Sequence, residues 1–296
     1  MATLITAVLP IAIVAAVGVM VGRAFEIDQT TLARINIYAM LPALVFISLA
    51  KTTLNLSSAI AIIATFLINT GLLYLIAVGL SRWLQLAGDE RKSLIATTIF
   101  ANVGNMGLPF VLFALGDAGL ERAVVYLVGS SVMIASVFPI ILKGAGLRAG
   151  ARFTLRLPVF WAAMTGLGWR LVNLPLPETG DRGLTLLGNG AIPLALLTLG
   201  IQLSQTKFVF GRFELVCATI RLIVSPLMVY GLGHALSLES LDLQVVMLQA
   251  AMPTAVNSLI WVTELGGNPV RVARIIVLST LLSFITLPGV LWLSGQ

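Results

Sequence analysis

The chain has 296 residues, of which 58% are hydrophobic and only 10% charged, with a mean hydropathy of +1.03 and a net charge of +6. Soluble domains carry roughly 25% charged residues, so this composition excludes a water-facing globular domain and points to the lipid bilayer. The basic residues stand singly in loops rather than in a patch, which argues against a nucleic-acid partner, and the single Cys217 excludes an internal disulfide.

The N-terminal run MATLITAVLPIAIVAAVGVMVGR has no basic leader and no clean cleavage site, so it is expected to stay as a first span rather than to be removed as a signal peptide. Apolar segments long enough to cross a bilayer then recur at 2–22, 33–50, 57–81, 93–116, 121–142, 158–173, 184–204, 212–236, 242–264 and 270–293. The pattern predicts an all-α integral membrane protein of ten transmembrane helices, the sixth short. The longest polar break, 143–157, reads as a connector between a first half, 1–142, and a second, 158–296.

Basic residues set the expected orientation. Loops after odd-numbered spans hold thirteen of them, including Lys143, Arg148, Arg152, Arg156 and Lys207, against four after even-numbered spans (Lys51, Arg122, Arg170 and Arg182). The excess of Lys and Arg on the cytoplasmic side puts the odd loops there and both termini outside the cytoplasm.

The halves resemble each other. LPALVFISLA (41–50) parallels IPLALLTLGI (192–201), and the stretch 114–139 parallels 264–288. Pro42 and Pro139 are 97 residues apart, Pro193 and Pro288 are 95 apart. A repeat of five crossings must insert its two copies upside down, which predicts inverted repeats with a central site, as in many secondary transporters.

Two spans are interrupted. ANVGNMGLP (101–109) sets Asn102, Asn105, two glycines and Pro109 inside the fourth span; LQAAMPTAVNS (248–258) sets Gln249, Pro253, Thr254, Asn257 and Ser258 inside the ninth. Proline lacks an N–H and its ring strikes the carbonyl four residues back. In hydrocarbon such a break must be buried in protein or line a cavity. The expected arrangement is a crossing of spans four and nine, with the second half-helices starting near the prolines and their positive ends facing an anion. Asn102, Asn105, Pro109, Gln249, Pro253, Thr254, Asn257 and Ser258 are the candidate substrate-binding residues. Pro42, Pro139, Pro193, Pro226 and Pro288 are read as simple kinks.

Arg221, about nine residues into the eighth span, joins that set, because a charge inside the membrane is functional by default. A structural ion pair and snorkelling to the interface are its other readings. His234 and Glu264 are read as interfacial, and Cys217 as buried and inert. No acid is expected deep in a span. There is one His, one Cys and no metal or nucleophile–base motif, and the GSS at 129–131 has no partner base, so no enzyme, metal or cofactor is expected.

ANVGNMGLP, AAMPTAVNSLIWVTELGG and VLSTLLSFITLP resemble the auxin efflux carrier family of membrane transport proteins, over essentially the whole chain. That family includes the plant PIN-formed carriers and bacterial permeases for small carboxylates. The resemblance implies a fold similar to bile acid–sodium symporters, with spans 1, 2, 6 and 7 as a scaffold, often homodimeric, and spans 3–5 and 8–10 as a mobile transport domain. It implies substrate beside the crossing and an elevator-like shift in a bacterial inner membrane. Asn105 and Pro109 match the family's fourth-span motif, Pro253 and Asn257 its ninth-span motif. The long central loop of the plant members is missing here. The expected function is a carrier of a small organic anion; a sodium-coupled symporter and a channel or receptor stand as alternatives.

Overall fold

The computed structural model describes residues 2–143, 147–205 and 211–295. Part of the connector (144–146) and Lys207 lie outside the described residues. Within them every regular element is helical; one isolated antiparallel bridge joins Ala101 to Thr254. Where no water reaches the backbone, a helix satisfies its own N–H and C=O groups, and this composition selects it.

In chain order the helices are α1 (Ala2–Ala24), α2 (Gln29–Ile35), α3 (Leu41–Ala50), α4 (Leu56–Trp83), α5 (Gly88–Ile99), α6 (Leu108–Lys143), α7 (Leu147–Thr154), α8 (Pro158–Val172), α9 (Glu178–Asn189), α10 (Ala191–Gln205), α11 (Arg212–Thr219), α12 (Ser225–Ala235), α13 (Ser240–Ala250), α14 (Asn257–Leu265) and α15 (Pro269–Ser294). Among the described residues, five helical stretches are long and apolar enough to cross a membrane: Gln29–Ala50, Leu56–Trp83, Glu178–Gln205, Arg212–Ala235 and Pro269–Ser294.

Three prolines explain three irregular turns. Single π turns at Asn36–Met40, Val103–Gly107 and Ile220–Val224 each lead into a helix whose second residue is proline: Pro42, Pro109 and Pro226. The proline ring would strike the carbonyls of Tyr38, Asn105 and Leu222, and a wider turn removes the clash while keeping the helix direction. At the first and third, the bond spans five residues, Leu41 N–H to Asn36 O and Ser225 N–H to Ile220 O. Pro193 sits in the first turn of α10 and Pro288 inside α15. In α6 the break comes at Gly116, whose φ of 69° only glycine adopts freely.

The helices form two compact units. One comprises Met1–Leu4, Leu56–Val103 and Thr206–Gln296; the other Ile5–Asn55 and Gly104–Gln205. Each draws on both halves of the sequence.

In the first unit α4 turns Leu56, Ile60, Leu67 and Leu75 outward and buries Ser58, Thr65, Asn69 and Thr70. Apolar outside and polar inside is the arrangement of a helix that faces lipid. Polar side chains are abundant in this unit's interior: Ser93, Thr97, Thr98, Ser225, Gln249, Thr254, Ser279, Thr280 and Ser283 are all buried. Two acids are buried as well, Glu214 and Asp242, at the starts of the stretches 212–236 and 242–264 rather than deep inside them. Both occupy the first turn of their helix, where the dipole favours negative charge.

The second unit is joined by close helix crossings. On α1, Gly18 and Gly22 face α10; a Cβ on Gly18 would come within 3.0 Å of Gly200 Cα, and one on Gly22 within 3.0 Å of Ile201 Cα. Small residues four apart allow this backbone-to-backbone approach, which dispersion alone then stabilises.

Candidate functional site

The first unit contains a crossing of two interrupted helices. Helix α5 stops at Phe100, whose backbone is extended (φ −85°, ψ 104°), and α13 stops at Ala251. The two extended stretches pair antiparallel: Asn102 N–H donates to Pro253 O at 2.8 Å, and Ala255 N–H donates to Phe100 O at 2.9 Å. Each break supplies the hydrogen bonds that the other has lost, so neither leaves these backbone groups bare in an apolar interior. Thr254 fastens the pair: its hydroxyl donates to Thr97 O at 3.0 Å, and its N–H donates to Ser279 Oγ on α15 at 3.2 Å.

This pairing changes the expected role of one proline. Pro253 does not begin the second half-helix; it lies in the extended stretch, and α14 starts only at Asn257. The bridge to Ala101 holds 252–255 extended and delays re-entry into the helix. Pro109 does lie at a helix start, as second residue of α6 behind the π turn.

Arg221 is the largest fully buried side chain, 1% exposed, on the π turn between α11 and α12. Its Nη1 donates to Thr98 O at 2.8 Å, and its Nη2 donates to Ser225 Oγ at 2.8 Å and to Ala250 O. Those carbonyls belong to the last turns of α5 and α13. A helix C-terminus carries about half a negative charge, so two such ends together offset a single guanidinium. Snorkelling is therefore not its state; one side chain clamps both half-helix ends. Ser225 Oγ also donates to Ala250 O at 2.9 Å and accepts from Asn69 Nδ2 at 3.2 Å, which ties α4 to the same point.

The sequence-predicted residues divide between the units. Asn102, Arg221, Gln249, Pro253, Thr254, Asn257 and Ser258 lie in the first; Asn105, half-buried on its π turn, and buried Pro109 lie in the second. Asn257 is exposed as the first residue of α14, while Ser258 turns its hydroxyl back to Ala255 O. In the first unit, buried side chains carry polar atoms that have no partner among the described residues: Asn102 Nδ2, both amide atoms of Gln249, Thr98 Oγ1 and Thr280 Oγ1. Asn69 Oδ1 is in the same condition. His234 is exposed and meets the Tyr230 ring edge-on at 4.5 Å, Glu264 is exposed in the last turn of α14, and Cys217 is a buried free thiol.

Sequence reasoning missed Asn69, Thr97, Thr98, Ser225, Ser279 and Thr280. Only Asn69 carried a signal, as an amide in the middle of an apolar run.

A family model described as membrane transport protein matches residues 3–152 and 147–291. The chain belongs to this membrane transport protein family. An uncharacterized transporter of Methanothermobacter thermautotrophicus is 32% identical over 277 residues, covering 90% of this chain and 89% of that protein. A putative malonate transporter of Rhizobium meliloti is 23% identical over 277 residues, covering 87% and 84%. Auxin efflux carrier component 8 of Arabidopsis thaliana is 22% identical over 132 residues, covering 43% and 35%. The resemblance to auxin efflux carriers read from ANVGNMGLP thus stands, and this member of the membrane transport protein family is an integral membrane transporter.

Proposed function

We propose that this membrane transport protein is a secondary carrier for a small organic anion, a carboxylate, held at the crossing of the two broken helices. The observation that carries the reading is that this crossing satisfies its own backbone yet leaves Asn102 Nδ2 and both amide atoms of Gln249 buried without partners among the described residues. An unpaired buried amide costs about 1–3 kcal/mol, and a carboxylate accepting from Asn102 Nδ2 and Gln249 Nε2 would recover it. Asn257 and the hydroxyls of Thr98 and Thr280 would complete the site within the first unit, with Arg221, Pro253, Thr254 and Ser258 setting its backbone; Asn105 and Pro109 are proposed as substrate-binding residues on the second unit. The distant likeness to a putative malonate transporter supports a carboxylate as cargo. The wider reading is of ten spans in two inverted repeats, in a bacterial inner membrane with both termini outside the cytoplasm. A homodimer would form through the scaffold spans, and alternating access would be elevator-like.

The test is a thermal-shift screen of the purified protein against mono- and dicarboxylates, followed by radiolabelled uptake and counterflow in proteoliposomes. Saturable counterflow of a carboxylate is the expected result. Consistent failure with anions alongside binding of a cation would overturn the anion assignment. Asn105→Ala should abolish uptake while leaving the melting temperature in place; normal uptake by that variant would refute a role for Asn105 in transport.

A further inference from the structure

Helix α7 lies in the connector between the sequence halves, and its two sides differ. Gly150 and Thr154 are buried: a Cβ on Gly150 would come within 3.0 Å of Ser136 Cα on α6, and the Thr154 hydroxyl donates to Gly150 O at 3.2 Å. Backbone bonds continue the helical turn beyond its end, from Leu155 N–H to Ala151 O and from Leu157 N–H to Thr154 O. Arg148, Arg152 and Arg156 therefore follow one another at intervals of four on the side away from α6, and all three are exposed. At a rise of about 1.5 Å per residue their Cα atoms are spaced by about 6 Å along the axis. None of the three has an ion-pair partner among the described residues.

The neighbours of this stripe are those of a membrane interface. Phe153 and Leu155 are exposed beside it, at 43% and 52%. Trp161, in the first turns of α8, is 52% exposed and donates its indole N–H to Leu155 O at 2.8 Å. Half-exposed tryptophan marks the headgroup level of membrane proteins, and here it is hydrogen-bonded to the end of the arginine-bearing segment.

We infer that α7 is an anionic-phospholipid docking surface, with Arg148, Arg152 and Arg156 binding the phosphate headgroups of lipids such as phosphatidylglycerol. A guanidinium presents paired donors to a phosphate and is weakly hydrated, so an unpaired row of three at headgroup level selects anionic over zwitterionic lipid. The inference does not depend on the proposed cargo.

The experiment is native mass spectrometry of the full-length protein, titrated separately with dioleoyl phosphatidylglycerol and dioleoyl phosphatidylcholine. Each basic residue near an anionic surface is worth about a fivefold change in association. The wild type is expected to prefer phosphatidylglycerol, Arg152→Gln to reduce that preference about fivefold, and the triple Arg148→Gln, Arg152→Gln, Arg156→Gln variant to abolish it. The triple lysine variant should retain most of it, and raising salt on the wild type should weaken it, which keeps the test decisive if the glutamine variant fails to fold. Equal association of the two lipids with the wild type would overturn the inference, as would an unchanged preference in a folded triple glutamine variant. Capture of an acidic peptide by these arginines without any lipid preference would also overturn it.

Discussion

Arg221→Gln is the perturbation that most directly tests how the crossing is held. The substitution removes the donors to Thr98 O and Ala250 O, the carbonyls that end α5 and α13. Ala250 O keeps its bond from Ser225 Oγ, so only Thr98 O is left without its donor, at a cost of about 1–3 kcal/mol. Loss of the positive charge adds the uncompensated dipole ends, about 0.3–1 kcal/mol each. Relief from burying a guanidinium works the other way, and the net loss is expected to be about 1–3 kcal/mol. For a chain of this size, about 2 °C of melting temperature accompanies each kcal/mol, so the variant should melt about 2–6 °C below wild type. Arg221→Lys keeps the charge but not the fork, and should fall between the two. The assay is thermal unfolding of detergent-purified protein, followed by tryptophan fluorescence. A glutamine variant within 1 °C of wild type, or a lysine variant less stable than the glutamine one, would refute the clamp.

Thr254→Val keeps the volume but loses the hydroxyl bond to Thr97 O; a drop of about 2–4 °C is expected in the same melt, from about 1–2 kcal/mol. Ser225→Ala should couple to Arg221→Gln, because both groups reach Ala250 O; a double-mutant cycle should give an interaction of about 0.5–3 kcal/mol, and strict additivity would show that they act separately. Gly200→Val places branched carbon against the α1 backbone at Ala15 and Gly18; the expected result is loss of folded protein on size-exclusion chromatography, whereas Gly71→Ala, in open space on α4, should elute as wild type. Gln249→Leu should leave the melting temperature unchanged or raise it by a few degrees, because it removes two unpartnered buried atoms, while abolishing carboxylate-dependent stabilisation; a large fall in melting temperature would mean that the amide is structural.

The positions of the breaks were legible because proline and glycine act locally. Pro109 and Gly107 announce an interruption whatever surrounds them, and the structure opens the chain at 100–107. What proline does not encode is how the break is filled. Pro253 resembled a helix start, but the antiparallel pairing with Phe100–Asn102 keeps it extended, and that partner lies some 150 residues away in sequence. Arg221 was visible as a charge in an apolar run, whereas its ligands are main-chain carbonyls, which no side-chain pattern records. Thr97, Ser279 and Thr280 were invisible for another reason. Hydroxyls in apolar helices commonly bond the carbonyl a turn back, as Thr97 and Ser279 do to Ser93 O and Ile276 O. Nothing in the sequence therefore shows that Thr97 also lends its carbonyl to Thr254, that Ser279 also accepts from Thr254 N–H, or that Thr280 keeps an unpartnered hydroxyl.

The contrast within the crossing bears on function more than any single residue. Its backbone is closed: both extended stretches are paired, and three half-helix-end carbonyls are taken by Thr254, Arg221 and Ser225. Its side chains are not closed, since Asn102, Gln249, Thr98 and Thr280 retain unpartnered buried atoms. A purely structural crossing would use leucine or alanine at these positions and lose nothing, because an apolar side chain of the same shape avoids the desolvation penalty altogether. Polar groups kept at a net cost beside an otherwise satisfied backbone are the arrangement expected of a site whose missing partner is the cargo. The separation also has a mechanical consequence. The clamp of Arg221 fixes the backbone without drawing on the amides, so on the proposed reading binding and release of a carboxylate would change the side-chain hydrogen bonds while the crossing itself stays intact.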